Sequence, residues 1–176
     1  MNSLSELLKN RRSIRKYLPI PVEQDKIDQI TKAALMSPSS KRSNPWEFIV
    51  VQDKEMLIKL SDSRPHGSQF LAESPLGIIV IADTTKTDVW MEDASIAAII
   101  MQLQVQDLGL GSCWIQVYGR NKNDETTTES YIRDLLSIPA HFAVLSIISI
   151  GYPDESRKPY DEDKLATDKV HTEMFK

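Results

Sequence analysis

The chain has 176 residues, of which 41% are hydrophobic and 26% are charged, a composition typical of one globular domain. Its formal net charge of -4 and isoelectric point near 5.4 give no overall positive field, which argues against a general nucleic-acid or membrane-surface role. One cysteine excludes an internal disulfide, and the N-terminal stretch lacks the long apolar core of a signal peptide, so we expect a cytoplasmic protein.

Helical and strand patterns alternate along the chain. Helices are predicted where apolar residues recur every three or four positions, and strands where a continuous apolar run lies between turn signals. In chain order these are helices at 3–10 and 23–36, a strand at 46–52, a helix at 54–61, a strand at 77–83, a helix at 90–108, a strand at 111–117, a helix at 125–136 and a strand at 142–152. The alternation predicts one α+β domain at 1–152, followed by a charged arm at 153–176 that is too polar for a core of its own.

The common catalytic motifs are missing from the sequence. There is no Walker-type Gly-Lys-Ser/Thr loop, and "GLGSC" at 109–113 is half of a dinucleotide fingerprint that enters a predicted strand instead of leaving one. The histidines are scattered without metal-site spacing, so no metal is expected. Cys113 lies among strand residues and is interpreted as a small buried hydrophobe. An enzyme built on this chain would therefore rely on a cofactor.

Three separated segments carry the groups that a flat, anionic ligand would need. "RRSIRKY" at 11–17 crowds four cations into six positions; a solvated face is the ordinary explanation, but guanidinium forks also bind phosphate oxygens in pairs. "SPSSKRSNPW" at 37–46 is a turn-rich loop whose hydroxyls and amide can bond the polar edge of a ring. "GLGSCWIQ" at 109–116 has glycines that let the backbone approach a flat ligand. Together these segments suit flavin mononucleotide (FMN).

In order and spacing, the motifs resemble those of the FMN-dependent nitroreductases. The resemblance rests on "RRSIRKY", "PSS…NPWEF", "EDASIAA…LGLGSCWI" and "IGYP", and it covers essentially the whole chain. It implies an α+β sandwich with a central, mainly antiparallel sheet flanked by helices. It also implies an intertwined homodimer with FMN at the subunit interface, in which the 153–176 arm packs on the partner subunit.

The resemblance further implies roles for particular residues. The expected contacts of the FMN phosphate, ribityl chain and ring edge are Arg11, Arg12, Ser13 and Arg15. The residues expected to reach the flavin from the partner subunit are Pro38, Ser39 and Ser40, and the amide of Asn44, in the same loop, is expected to bond the polar edge of the ring. The backbone of Trp114, Ile115 and Gln116 would run beside the ring, and Arg157 and Lys158 would complete the phosphate clamp, by a looser match. Arg42 stands where many members have Asn, which makes it the candidate for steering substrates.

The implied activity is that of an FMN-dependent oxidoreductase. It would pass electrons from NADH or NADPH to an oxidised small-molecule acceptor, a nitroaromatic or a quinone, by a ping-pong mechanism. A non-catalytic flavin carrier or sensor is the first alternative. A nucleic-acid binder that uses "RRSIRK" is the second, and the negative net charge argues against it.

Four further residues are interpreted as structural. Trp46 and Trp90 are expected to pack in the core or in an interface, because large aromatic side chains are mostly buried. Asp93 and Gln102, on the predicted 90–108 helix, are expected to be buried polar groups that help to fix a dimer.

Overall fold

A computed structural model describes residues 2–175 of the chain. Within that range the strands are β1 (Trp46–Val51), β2 (Leu76–Asp83), β3 (Gly111–Gln116) and β4 (Phe142–Gly151). They form one antiparallel sheet in the order β1-β2-β4-β3. β4 is buried along its whole length, whereas β3 is an edge strand that pairs on its inner side with β4.

The helices are α1 (Leu4–Asn10), α2 (Gln24–Leu35), α3 (Lys54–Ser61), α4 (Trp90–Asp107) and α5 (Thr128–Leu136). Ser3 and Glu6 form the predicted capping box at the start of α1. α5 begins three residues later than predicted, because the Thr127 hydroxyl accepts the Ser130 N–H at 3.0 Å and so caps the helix. None of the helices between residues 2 and 175 combines the length and the apolar character needed to cross a membrane.

Apolar side chains fill both faces of the sheet. Successive residues of a strand point to opposite faces, so Ile78 joins a core with α2 and α4 while Ile79 joins a core with α3 and α5. Trp46 and Trp90 both belong to the first core, which confirms the prediction that they are packing residues. The predicted α+β class, with a central antiparallel sheet between layers of helices, is confirmed.

The two ends of the chain lie against each other. Backbone hydrogen bonds of 2.9 Å join them, from the N–H of Leu18 to the carbonyl of Tyr152, from Asp154 to Lys16 and from Tyr160 to Lys9. The first part of the predicted arm therefore packs on its own chain, and residues 163–175 are exposed. Met1 and Lys176, the outermost residues of the predicted domain and arm, lie outside the described residues.

Candidate cofactor-binding site

The arginine segment, residues 11–17, lies along the outer edge of β3. Ser13 pairs with Ser112 in parallel register, and the N–H of Ile14 donates to the Ser112 carbonyl at 3.0 Å. Gly111 permits this approach, because a Cβ there would come within 2.8 Å of the Ile14 side chain. Gly111 of the "GLGSC" motif therefore lets the arginine segment pack against the sheet.

Arginines from both ends of the chain line one cleft. This arginine cleft has a volume of about 260 Å³, and its lining residues are Arg11, Arg12, Ser13, Arg15, Arg157 and Tyr160. Four guanidinium groups thus share one space, and the lining, which lies wholly within the described residues, includes no carboxylate. Planar guanidinium groups bind carboxylate and phosphate oxygens in pairs, so the cleft can hold an anion with several oxygens.

Arg12 is oriented by the C-terminal arm. Its guanidinium donates a hydrogen bond to the backbone carbonyl of Lys158 and lies 4.8 Å from the ring centre of Tyr160. Two basic residues were expected to complete the clamp. The side chain of Arg157 lines the cleft, whereas Lys158 contributes the backbone carbonyl that accepts the hydrogen bond from Arg12. Arg12 is therefore fixed in place by the arm and does not simply extend into solvent.

Glu155 contacts both the arginine segment and the arm. Its carboxylate accepts the N–H of Arg15 at 2.6 Å and the N–H of Lys16 at 3.2 Å, and it pairs with the Arg157 guanidinium at 2.6 Å. The hydrogen bond from the Arg15 amide is the main reason why the pKa of the Glu155 carboxyl lies below its usual value. Glu155 is therefore negatively charged at neutral pH.

The outer edge of β3 adjoins the arginine cleft. Beyond Ser112 this edge has no strand partner among residues 2–175. Because the Ser112 carbonyl points outward, the backbone groups of Trp114 and Gln116 point outward as well, since alternate residues of an edge strand share a direction. The Trp114 indole N–H donates to the Gln116 side-chain oxygen at 2.9 Å. The side chain of Ile115 is buried, and by the same alternation its backbone N–H and carbonyl face β4, so its polar groups are turned away from the open edge.

Residues 64–70 flank both the strand edge and the arginine segment. The Arg64 guanidinium donates to the Gln116 carbonyl at 3.2 Å, and the Arg15 guanidinium lies 5.8 Å from the ring centre of Phe70. Burial lowers the pKa of Arg64, with a smaller effect from Arg120. The sequence patterns did not indicate this stretch as part of the site.

The loop at residues 37–46 has a constrained backbone. Lys41, Arg42 and Asn44 have positive φ angles of 50°, 57° and 43°. This left-handed conformation costs residues other than glycine about 1–2 kcal/mol each, and Asn tolerates it best. The Ser39 hydroxyl donates to the Asn44 side-chain oxygen at 2.7 Å and accepts the Asn44 N–H at 2.9 Å, which closes the loop. Pro38 is exposed beside them.

A buried carboxylate holds this loop on α4. Asp93, in the first helical turn, is 4% exposed and accepts the Ser40 N–H at 2.8 Å and the Ser43 hydroxyl at 3.4 Å. Gln102 is also buried and accepts the Ser112 hydroxyl at 3.4 Å. The predicted burial of both residues is confirmed, and their contacts show that they support the loop and β3 within the chain.

The loop and the arginine cleft lie at opposite ends of α4. Asp93 is in the first turn, whereas Gln106 in the last turn lines a second cleft that shares Arg12 and Arg157 with the arginine cleft. Thirteen positions of α-helix separate the two residues, which is roughly 20 Å. A single chain therefore does not bring residues 38–44 to the arginine cleft.

The described residues offer little side-chain chemistry beyond anion binding. Burial raises the pKa of the Cys113 thiol, which disfavours the reactive thiolate. Between residues 2 and 175 no three His, Cys, Asp or Glu side chains are grouped so that they could hold a metal ion. The site is thus suited to holding a ligand that brings its own reactivity.

Comparison with protein families accounts for most of the chain. The sequence model of the Nitroreductase family matches residues 8–64 and 59–152. The chain belongs to the nitroreductase family. The matched region of this nitroreductase-family chain includes the arginine segment, the 37–46 loop and β3, whereas the arm that supplies Arg157 and Tyr160 lies outside it.

Individual relatives agree with the family match. The chain is 54% identical in sequence to an FMN-dependent nitroreductase from Clostridium difficile R20291, with a TM-score of 0.95 over 96% of this chain and 98% of that one. It is 35% identical, over 99% of its length and all of the relative's, to an Archaeoglobus fulgidus protein named provisionally as an NADH dehydrogenase/NAD(P)H nitroreductase. A Bacillus subtilis FMN reductase is 29% identical over 90% of this chain and 69% of its own length.

The contacts of Asp93 predict that the 37–46 loop opens when this carboxylate is removed. Asp93→Ala deletes a hydrogen bond between a backbone amide and a charged group, which contributes about 1.5–3 kcal/mol, so the open population should rise roughly tenfold or more. Trypsin cleavage after Lys41 and Arg42 in the native protein measures this population. Asp93→Asn, which keeps an acceptor oxygen, should have a smaller effect.

Glu92→Ala is the matched control, because Glu92 is an exposed carboxylate on the same helical turn. Cleavage after Lys32, in α2, serves as the internal reference for global unfolding. If Asp93→Ala leaves the loop cleaved at the wild-type rate, Asp93 does not hold the loop.

Proposed function

We propose that this chain is an FMN-dependent oxidoreductase that oxidises NADH or NADPH and reduces a small organic acceptor. The observation that carries the proposal is the arginine cleft beside the unpaired edge of β3. An anion site and an extended backbone surface adjoin there, as the phosphate and the ring of FMN require. Relatives named as an FMN-dependent nitroreductase and an FMN reductase support the same cofactor.

The described residues fit FMN along its length. Arg11, Arg157 and Ser13 line the cleft and would hold the phosphate, with Arg12 beside them. The outward backbone groups of β3 would lie against the ring. Bound FMN supplies reversible hydride transfer, the chemistry that a nicotinamide donor and an oxidised acceptor need.

Arg15 would act on the ring end of the cofactor. Its guanidinium lines the cleft and reaches toward Phe70, so its positive charge is available beyond the phosphate. A fixed positive charge favours the negative charge that a two-electron reduction brings to a flavin ring.

We include a cytoplasmic location in the proposal. The sequence holds a single cysteine and so has no internal disulfide, which fits a reducing compartment.

Purified protein should be yellow, hold about one FMN per chain and oxidise NADH or NADPH steadily when a nitroaromatic or quinone is added. Arg11→Ala should weaken FMN binding by roughly 1.5–3 kcal/mol, the scale of hydrogen bonds to charged groups. Lys86→Ala, an exposed cation in the turn before α4, should leave it unchanged. The measurements are the visible spectrum, an FMN titration and initial rates.

The outcomes separate the enzyme from its main alternative. A flavin carrier or sensor would be yellow but would not sustain NAD(P)H oxidation with any added acceptor. A colourless protein that takes up no added FMN would contradict both readings.

We further propose that donor and acceptor use one opening in turn. If the backbone of β3 covers one side of the ring, both substrates must approach from the other side, so the oxidised nicotinamide has to leave first. Double-reciprocal plots at several acceptor concentrations should then be parallel, and intersecting lines would exclude a shared opening. Arg42→Asn should change KM for the donor or the acceptor roughly threefold or more while leaving FMN affinity unchanged.

The Arg42 substitution has a structural rationale and a control. Asn tolerates the left-handed backbone at position 42 better than Arg does, so the loop should stay folded. Lys41→Asn removes the neighbouring positive charge at a position with the same backbone conformation. Equal effects of the two variants would assign steering to the charge of the loop as a whole.

We propose that the active form is a homodimer, with the acceptor and nicotinamide sites completed by the partner. The outer face of α4 exposes apolar residues that one chain leaves uncovered, namely Met91, Ile96 and Ile99. The end of the arm exposes Leu165, Val170, Met174 and Phe175, which could pack on a second copy. The 37–46 loop lies away from the arginine cleft of its own chain, and in a dimer a second chain would supply this loop to the cleft.

The dimer proposal predicts opposite results for two matched substitutions. Ile99→Glu places a charge on the outer face of α4 and should convert the dimer to monomer in sedimentation or light-scattering measurements. Ile58→Glu changes a similarly exposed isoleucine on α3, across the sheet, and should leave the dimer intact. The proposal is wrong if wild-type protein is monomeric or if only the α3 variant dissociates.

A further inference from the structure

Glu155 connects the two parts of the arginine cleft. Through one oxygen it accepts the backbone N–H groups of Arg15 and Lys16, at 2.6 and 3.2 Å, and through the other it pairs with Arg157 at 2.6 Å. Arg15 lies 140 positions before Glu155 in the sequence. One carboxylate therefore holds the backbone of the N-terminal segment and a side chain of the C-terminal arm.

Glu155 acts from behind the cleft. It does not line the arginine cleft, but lines the adjoining cleft of about 220 Å³ together with Arg157. Its side chain is 12% exposed, whereas that of Arg157 is 48% exposed, so the carboxylate is the more buried partner of the ion pair. A bound phosphate would thus meet the guanidinium of Arg157 in front, while Glu155 holds the same group from the rear.

The cleft needs such a support because its charges repel one another. Four guanidinium groups line one small volume, and like charges a few ångströms apart favour rotamers that separate them. Arg12 is held by the Lys158 carbonyl and the Tyr160 ring, whereas Arg157 is held by Glu155. The position of Arg15 depends on the same carboxylate, which accepts its backbone N–H.

We propose that Glu155 is a positioning residue that pre-organises the arginine cleft for the phosphate of FMN. The inference rests on the proposed function, since the anion is the phosphate of that cofactor. A carboxylate near a phosphate also repels it, and the two effects have opposite signs. Positioning dominates here because Glu155 itself lies outside the lining of the cleft, whereas Arg157 and Arg15, which it holds, line it, so its removal loosens the ligands of the phosphate.

The test compares FMN with riboflavin, which has the same ring and ribityl chain but no phosphate. Each flavin is titrated into flavin-free full-length protein, followed by flavin fluorescence. Glu155→Ala should weaken FMN binding roughly tenfold, the scale of a lost charge-assisted hydrogen bond, and riboflavin binding by about threefold or less, because riboflavin loses only the positioning of Arg15 at the ring end. Glu155→Gln, which keeps an acceptor for the amides but loses the ion pair, should lie between Glu155→Ala and wild type.

Glu162→Ala is the control, because Glu162 belongs to the same arm and pairs with Lys9 at 2.7 Å, beside a different cavity. It should change neither affinity. Unchanged or tighter FMN binding by Glu155→Ala would overturn the inference, and so would an equal loss of both flavins, which indicates a general structural role. A wild-type protein that binds neither flavin would overturn the proposed function, and the inference with it.

Discussion

The pairing of the two chain ends beside β3 is the constraint on which the site depends. The arginine segment is fixed on one side by Ser112 of β3 and on the other by the arm that follows β4. Tyr17 anchors it from below: its buried hydroxyl donates to the Ile14 carbonyl at 2.5 Å and lies 2.7 Å from the Ser149 hydroxyl of β4. Burial raises the pKa of Tyr17, so the phenol keeps its proton. Without this layer of contacts the arginines would have no common cleft.

Two carboxylates stabilise the two parts of the site that carry an energetic cost, namely charge repulsion in one and backbone strain in the other. Glu155 supports a group of like charges, and Asp93 supports a loop with three left-handed residues. Glu155 accepts two backbone amides and Asp93 accepts one, and each lies near one end of α4, where a ligand-binding surface needs a fixed shape. In both places a local cost, in repulsion or in backbone strain, is offset by a hydrogen-bonded charge.

Much of the fold was predictable from the sequence, because apolar periodicity determines which residues a helix or strand buries. The start of α5 was not, since residues 125–127 continue the helical pattern while the Thr127 cap fixes the boundary. The cationic part of the site was predictable from "RRSIRKY", because so many positive charges near one another need an explanation. The looser match at Arg157 and Lys158 did not indicate which of the two side chains lines the cleft, and the fold places Arg157 there.

The supporting residues were harder to find in the sequence. Glu155 and Tyr160 lie in a stretch of charged residues that is indistinguishable from a solvated tail, and their partners in the arginine segment are some 140 positions away or more. Asp93 looks like an ordinary acidic residue in the first turn of a helix. Lys41 and Arg42 carry no signal for a left-handed backbone, which sequence patterns associate with Gly and Asn. Hydrogen bonds to backbone groups that are distant in sequence cannot be recognised from the local amino-acid sequence.

A crystal structure of the protein with FMN bound would show directly whether the arginine cleft is the phosphate site. The phosphate should lie in the arginine cleft, within hydrogen-bond distance of the Arg157 guanidinium and of at least one of Arg11 and Arg12. The flavin ring should lie against the outer edge of β3 at residues 114–116. A phosphate bound elsewhere, with the arginine cleft open to solvent, would mean that the cleft does not serve the cofactor.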